Sequence, residues 1–232
     1  MDRRSYLSAV ASTGLLGTAG CLTDVFDDEP DGVVLDEPDD QLADSEDLPY
    51  PAYGETLPAF ELPDGLSNTV FDSTAMDRTA LLTGVFTFCP DECGVLLNRF
   101  AGVQSLVDDL DRTDDVLFLP ITFDPERDDE TALRESSEMM GADLSLGNWK
   151  FLRPETPDRA RTVVRDRLGI DFERTAESDR VEHYDFLHIV VTLLVNPGGV
   201  VERAYRGENI DPEKVTDDID DIVANYDPAI HD

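Results

Sequence analysis

The chain has 232 residues, 52 of them acidic and 18 basic, and a formal charge of −34 at pH 7. A surface this anionic excludes nucleic acid as a partner, since the phosphate backbone is bound by a basic face. With 41% apolar residues a real core can form, and the length suits one ordinary domain with extensions. Lys150 and Lys214 are the only lysines, while arginine is kept and aspartate is abundant. That pattern reads as adaptation to high salt, where self-repulsion is screened over roughly 3 Å at 1 M ionic strength.

The chain opens "MDRRSYLSAVASTGLLGTAGC". Arg3 and Arg4 precede a weakly apolar run from Tyr6 to Gly17, too short to span a bilayer. Small residues then lead to Cys21. The stretch resembles a twin-arginine export signal ending in a lipobox, so residues 1–21 are expected to be an address. Cys21 would be its lipidated residue, tethering the protein to the outer face of the cell membrane. Outside the cytoplasm disulfides can persist. Residues 22–47 are rich in Asp, Glu and Pro, and no Lys or Arg occurs between Arg4 and Arg78. Such a segment is expected to be a disordered, self-repelling tether. The folded part is expected over 48–232.

Within it, Pro58 to Asp64 and Asn68 to Asp72 read as two short strands joined by a turn at Gly65, an N-terminal β-hairpin. Thr79 to Phe88 is a mostly apolar buried strand. Cys93 to Leu110 places Leu96, Phe100, Val103, Leu106, Val107 and Leu110 at helical spacing. Asp115 to Phe123 is a second buried strand. Helices are expected over 128–142 and 156–170, the latter with Pro157 in its first turn and Gly169 at its stop. Phe186 to Tyr205 reads as a strand, a Pro197-Gly198-Gly199 turn and a returning strand. Asp211 to Tyr226 closes the chain as a helix. Buried strands alternating with helices give an α/β class, a central mixed sheet flanked by helices. The terminal hairpin followed by a helix resembles the end of a thioredoxin-like domain.

Cys89 and Cys93 sit in "VFTFCPDECGVLLNRF", just after the first long strand and at the start of the next helix. Backbone N–H groups there favour thiolate. Cα atoms within about 7 Å allow a disulfide, and soft thiolates also select Cu(I) or zinc. Three intervening residues, against the usual two of oxidoreductases, widen the bite and suit chelation. Spacing alone does not separate the chemistries. Closing so small a loop removes little chain entropy, which counts against a purely stabilising bridge. A third ligand would come from His183, His188 or His231. His231 is penultimate and His183 lies in a polar segment; His188, at the start of the last hairpin, is placed to face Cys89 in a thioredoxin-like fold, although a lone histidine in an apolar run is more often a packed residue. Met76, Met139 and Met140 could be read as thioether ligands, but Met139 and Met140 lie in an expected helix, where packing is the better reading.

Four pieces together resemble the Sco/SenC family of thioredoxin-like copper-binding proteins, here in a haloarchaeal-style lipoprotein form. They are "TFCPDECG" (Thr87 to Gly94), "FDPERD" (Phe123 to Asp128), "NWKFL" (Asn148 to Leu152) and "HIVVTLLVNPGG" (His188 to Gly199). Gly94 and Leu187 stand where the family commonly has proline and aspartate. The resemblance implies Cys89, Cys93 and His188 as ligands for copper, Cu(I) first and Cu(II) as a second state, and a structural loop at Asp124, Pro125 and Arg127. It implies a copper metallochaperone assisting the Cu(A) centre of cytochrome c oxidase, with that oxidase's copper-bearing subunit as partner. The alternative is a membrane-tethered thiol–disulfide oxidoreductase in which Cys89 and Cys93 are catalytic and reduce the subunit's cysteines. A peroxide-reducing enzyme of related fold lacks an obvious peroxidatic pattern here.

Overall fold

The structure is a computed structural model that describes residues 30–41, 43–89, 92–175 and 184–231. Cys21, the twin arginines and His183 lie outside the described residues.

The upstream hairpin is β1 (Glu61–Pro63) and β2 (Val70–Asp72), paired antiparallel with Leu62 opposite Phe71. The central sheet holds β3 (Thr79–Val85), β4 (Val116–Thr122), β7 (Val191–Val195) and β8 (Val201–Arg206) in the order β4-β3-β7-β8. β3 runs parallel to β4 and antiparallel to β7, so the sheet is mixed. Every residue of β3, β4 and β7 is buried. Their near-continuous apolar runs reflect cover on both faces. Helix α1 (Glu92–Asp109) crosses from β3 to β4 and packs against α4 (Pro212–Asn225). Helix α2 (Glu130–Met139) starts at Asp129, whose side chain accepts from Ala132 N at 2.9 Å. Residues 148–152 run alongside β4, with Phe118 N donating to Asn148 O at 2.8 Å and Leu152 N to Pro120 O at 2.8 Å. This is the thioredoxin-like arrangement expected. Among the described residues no helix is long and apolar enough to cross a membrane.

Several elements depart from expectation. The first long strand stops at Val85 rather than Phe88, because the chain turns there and Cys89 N reaches back to Phe86 O. The 156–170 helix is one α turn, α3 (Pro157–Ala160), followed by a π-helical turn over Arg161–Arg165. That wider turn buries Val163 and Val164, and Gly169 ends it at φ +65° with Pro49 O lying where a β-carbon would stand. The strand expected from Phe186 is two strands. β6 (Phe186–His188) pairs with β5 (Phe172–Arg174), an element that the sequence patterning had not marked, and β7 begins only at Val191. A short α5 (Pro228–His231) follows α4.

The packed body also begins upstream of Leu48. Leu35 is buried, and Val34 N and Leu35 N donate to the Glu202 carboxylate at 2.9 and 3.0 Å. Residues 54–57 cover the outer edge of β8, with Gly54 N on Val201 O and Leu57 N on Gly199 O. An edge strand left bare would invite pairing with other chains.

Candidate metal centre

β3 delivers the chain into a turn carrying Phe86, Thr87, Phe88 and Cys89, and α1 starts at Glu92. Cys93 lies in the first turn of α1, where backbone N–H groups have no partner inside the helix. The Cys89 sulfur fills that role, accepting from Cys93 N at 3.5 Å. Neither cysteine is in a disulfide; Cys89 is half-buried and Cys93 buried. The opposite side of the centre is β6, whose last residue is His188. Its Nε2 lies 3.7 Å from Cys93 Sγ. The ligand atoms of Cys89, Cys93 and His188 all fall within 4.8 Å of one another.

The imidazole is oriented from behind. His188 Nδ1 lies 3.1 Å from Ile189 O. A carbonyl only accepts, so Nδ1 carries the proton and the Nε2 lone pair faces the sulfurs. This backbone bond takes the place of an adjacent carboxylate, since Leu187 is 69% exposed and points away. The ring meets Phe86 edge-on at 6.1 Å and Phe123 at 5.2 Å, and Phe123 stacks on Phe172 at 4.7 Å. The wall behind the ligands is therefore apolar.

Electrostatics separate the two thiols. The Cys93 thiol is pushed far above the ordinary range, first by its hydrogen bond with Cys89, then by burial and by the charge of Cys89. Burial disfavours the charged imidazole of His188, yet its pKa is raised. The bonds to Cys89 and Ile189 O and the negative charge of Cys89 and Glu92 outweigh that burial. Two sulfurs and one imidazole nitrogen form a soft donor set that fits Cu(I) or zinc better than hard cations. Asp124 and Arg127 form a nearly buried ion pair beside this set, in keeping with a structural loop. Met139 is exposed, and Met140 packs over Gly94 in the first turn of α1.

Two residues behind the ligands were not singled out from sequence. Asp128 is fully buried and accepts from Thr87 N at 3.2 Å, from Thr87 Oγ1 and from Thr122 Oγ1. Tyr184 donates to Asp124 Oδ1 at 2.8 Å. The repeated carboxylates of "FDPERDDE" gave no sign that Asp128 turns inward together with Asp124. Burial raises the Asp128 pKa to about 6, against the opposing bonds from Thr122 and Thr87. A carboxyl whose folded pKa is raised stabilises the protein most at low pH, and that contribution is lost as pH rises through about 6. Asp128→Asn is expected to remove this component. Urea unfolding at pH 5 and 7.5 should show the wild type losing about 1.4 kcal/mol relative to the variant over that interval. Parallel profiles would mean an unperturbed carboxyl.

Comparison with known proteins fits this geometry. No curated protein sequence gives a match. Among solved structures, a SCO1/SenC family lipoprotein from Bacillus anthracis is similar with TM-score 0.60 and 17% identity, over 72% of this chain and 95% of that one. Copper-bound ScoI of Arabidopsis thaliana gives TM-score 0.60 and 23% identity, over 73% and 99%. BsSco, a cytochrome c oxidase assembly protein with a disulfide switch, gives TM-score 0.59 and 18% identity, over 74% and 94%. The SCO1/SenC family model matches residues 51–224, well over half of the chain, and the chain belongs to that family.

Proposed function

We propose that this protein is a copper metallochaperone. Cys89, Cys93 and His188 hold Cu(I) and pass it to the copper-bearing subunit of a haem-copper oxidase during assembly of its Cu(A) centre. The observation that carries the reading is the convergence of two sulfurs and an Nε2 that faces them within 4.8 Å. Solved relatives described as copper-bound share the fold, and BsSco belongs to a family of oxidase assembly proteins. Binding displaces at least the Cys93 proton, which the raised pKa keeps in place at neutral pH. Release needs only ligand exchange, acceptor thiolates replacing Cys89 first because it is the more accessible sulfur. No electron moves. The twin-arginine signal and a lipid on Cys21 would place the domain on the outer face of the membrane. There the acidic surface suits concentrated salt.

The asymmetry of the thiols favours a second activity at the same site. Cys89 can attack a disulfide in the acceptor, forming a mixed disulfide and releasing one acceptor thiol. That step removes the Cys89 hydrogen bond and charge that hold Cys93 protonated. Cys93 then attacks the Cys89 sulfur, and the second acceptor thiol leaves. The acceptor gains two electrons and two protons, and Cys89–Cys93 ends as a disulfide.

The test is an anaerobic Cu(I) titration of the reduced chain in high salt, followed by mixing with a metal-free Cu(A)-bearing domain. One tight equivalent with two sulfurs and one nitrogen by X-ray absorption, transferred to the acceptor, supports the chaperone. No tight copper, with reduction of an oxidised acceptor, shifts the assignment to the oxidoreductase.

A further inference from the structure

The loop between β4 and α2 touches both arms of the metal centre. On the cysteine arm, Asp128 holds Thr87, two residues before Cys89, through its backbone N–H and its hydroxyl. On the histidine arm, Asp124 accepts the Tyr184 hydroxyl at 2.8 Å, and Arg127 Nη1 donates to Tyr184 O at 2.8 Å. The Tyr184 ring lies between two guanidiniums, Arg127 at 3.9 Å and Arg174 at 3.3 Å. Arg174 is itself paired with Glu126 of the same loop at 3.1 Å. Inside the loop, Asp128 N bonds Asp124 O at 3.0 Å, and Thr122 Oγ1 accepts from Asp124 N while donating to Asp128.

β6 needs such an anchor. It is three residues long and, among the described residues, pairs with the three residues of β5, extended at its ends by Thr175 N on Asp185 O and Ile189 N on Asp171 O, a ribbon too small to be stable alone. Side chains two apart on a strand share a face, so Tyr184, Phe186 and His188 line the inner side while Leu187 points out. Fixing Tyr184 at one end fixes the rotation of the strand that ends in His188. We propose that Tyr184 is a positioning residue for His188, and that the loop from Asp124 to Asp128 sets the separation between the imidazole and the cysteine pair. The proposal rests on the metal-site reading above. It adds that the two arms are coupled through one loop that supplies no ligand.

Tyr184→Phe tests it in the full reduced chain, since the ring can stay between the guanidiniums while the bond to Asp124 is lost. The measurements are Cu(I) affinity, the Cys89–Cys93 reduction potential, and the imidazole 15N shifts of the metal-free protein. Affinity is expected to fall about 10-fold, the His188 ring signals to shift, and the potential to stay in place. Thr87→Val, on the other arm, is expected to move both affinity and potential. The double variant should be non-additive in affinity, as for residues acting through one shared element. Unchanged affinity and ring signals in Tyr184→Phe, or strict additivity in the double variant, would overturn the coupling. A wild-type chain that binds no Cu(I) while its His188 signals still respond to Tyr184→Phe would sink the copper reading and keep Tyr184 as the positioning residue.

Discussion

Replacing His188 with alanine is expected to cost Cu(II) binding at least about 100-fold and Cu(I) binding about 10-fold, extending to a ligand the losses seen for residues behind one. The difference follows from donor preference. Cu(I) is soft and two thiolates can hold it, whereas Cu(II) draws more on nitrogen donors. Losing either cysteine should abolish tight Cu(I) binding, since a single thiolate remains. The pH profile gives a second readout. Metal binds the neutral imidazole, and the pKa of His188 is raised above its ordinary value. Wild-type affinity therefore declines as pH falls through that raised pKa, and His188→Ala should lack this component. Thiol–disulfide cycling of Cys89 and Cys93 should survive the change, because neither transfer step uses the imidazole. Competition titrations against chromophoric chelators, run from pH 5.5 to 8, measure all of this. An alanine variant with wild-type affinity and the wild-type pH profile would remove His188 from the ligand set.

The ligands were legible in the sequence because their spacing is tied to element boundaries. Cys89 and Cys93 follow an apolar run of strand length and open a helix with clear periodicity, which puts them at the tip of the sheet. His188 precedes an apolar run ending at a Pro-Gly turn. Its exact setting was hidden. The run from Phe186 to Val195 reads as one strand, but at Ile189 and Val190 the chain changes partner, Ile189 N bonding Asp171 O beside β5 and Val190 O accepting from Gly207 N beside β8. Phe172 to Arg174 carry no alternation strong enough to mark a strand, and tertiary packing of Phe172 on Phe123 decides the matter. The positioning residues were hidden for a related reason. In a chain with 52 acidic residues, composition does not show which few carboxylates turn inward. Asp128, Asp124 and Glu202 do so because each finds donors contributed by distant segments.

Glu202 shows the cost of that blind spot, and Glu202→Ala is expected to destabilise the fold by about 3–5 kcal/mol. The side chain is fully buried in β8. It accepts from Val34 N at 2.9 Å, Leu35 N at 3.0 Å and Asn196 Nδ2 at 2.6 Å, and Asn196 also donates to Gly32 O. Tyr53 fastens the same segment from the other side, its hydroxyl donating to Leu35 O at 2.7 Å. Alanine would leave three donors without an acceptor in a dry site, each worth roughly 1–3 kcal/mol. A chain beginning at residue 48 should suffer similarly, losing those bonds together with the burial of Leu35, roughly 1.5–3 kcal/mol for a leucine side chain. Urea unfolding in high salt measures the loss, and proteolysis within residues 36–47 reports local release. A Glu202→Ala midpoint within error of the wild type would mean that the acidic segment lies outside the cooperative unit, as its composition alone suggests. The expected loss instead makes residues 32–35 part of the domain.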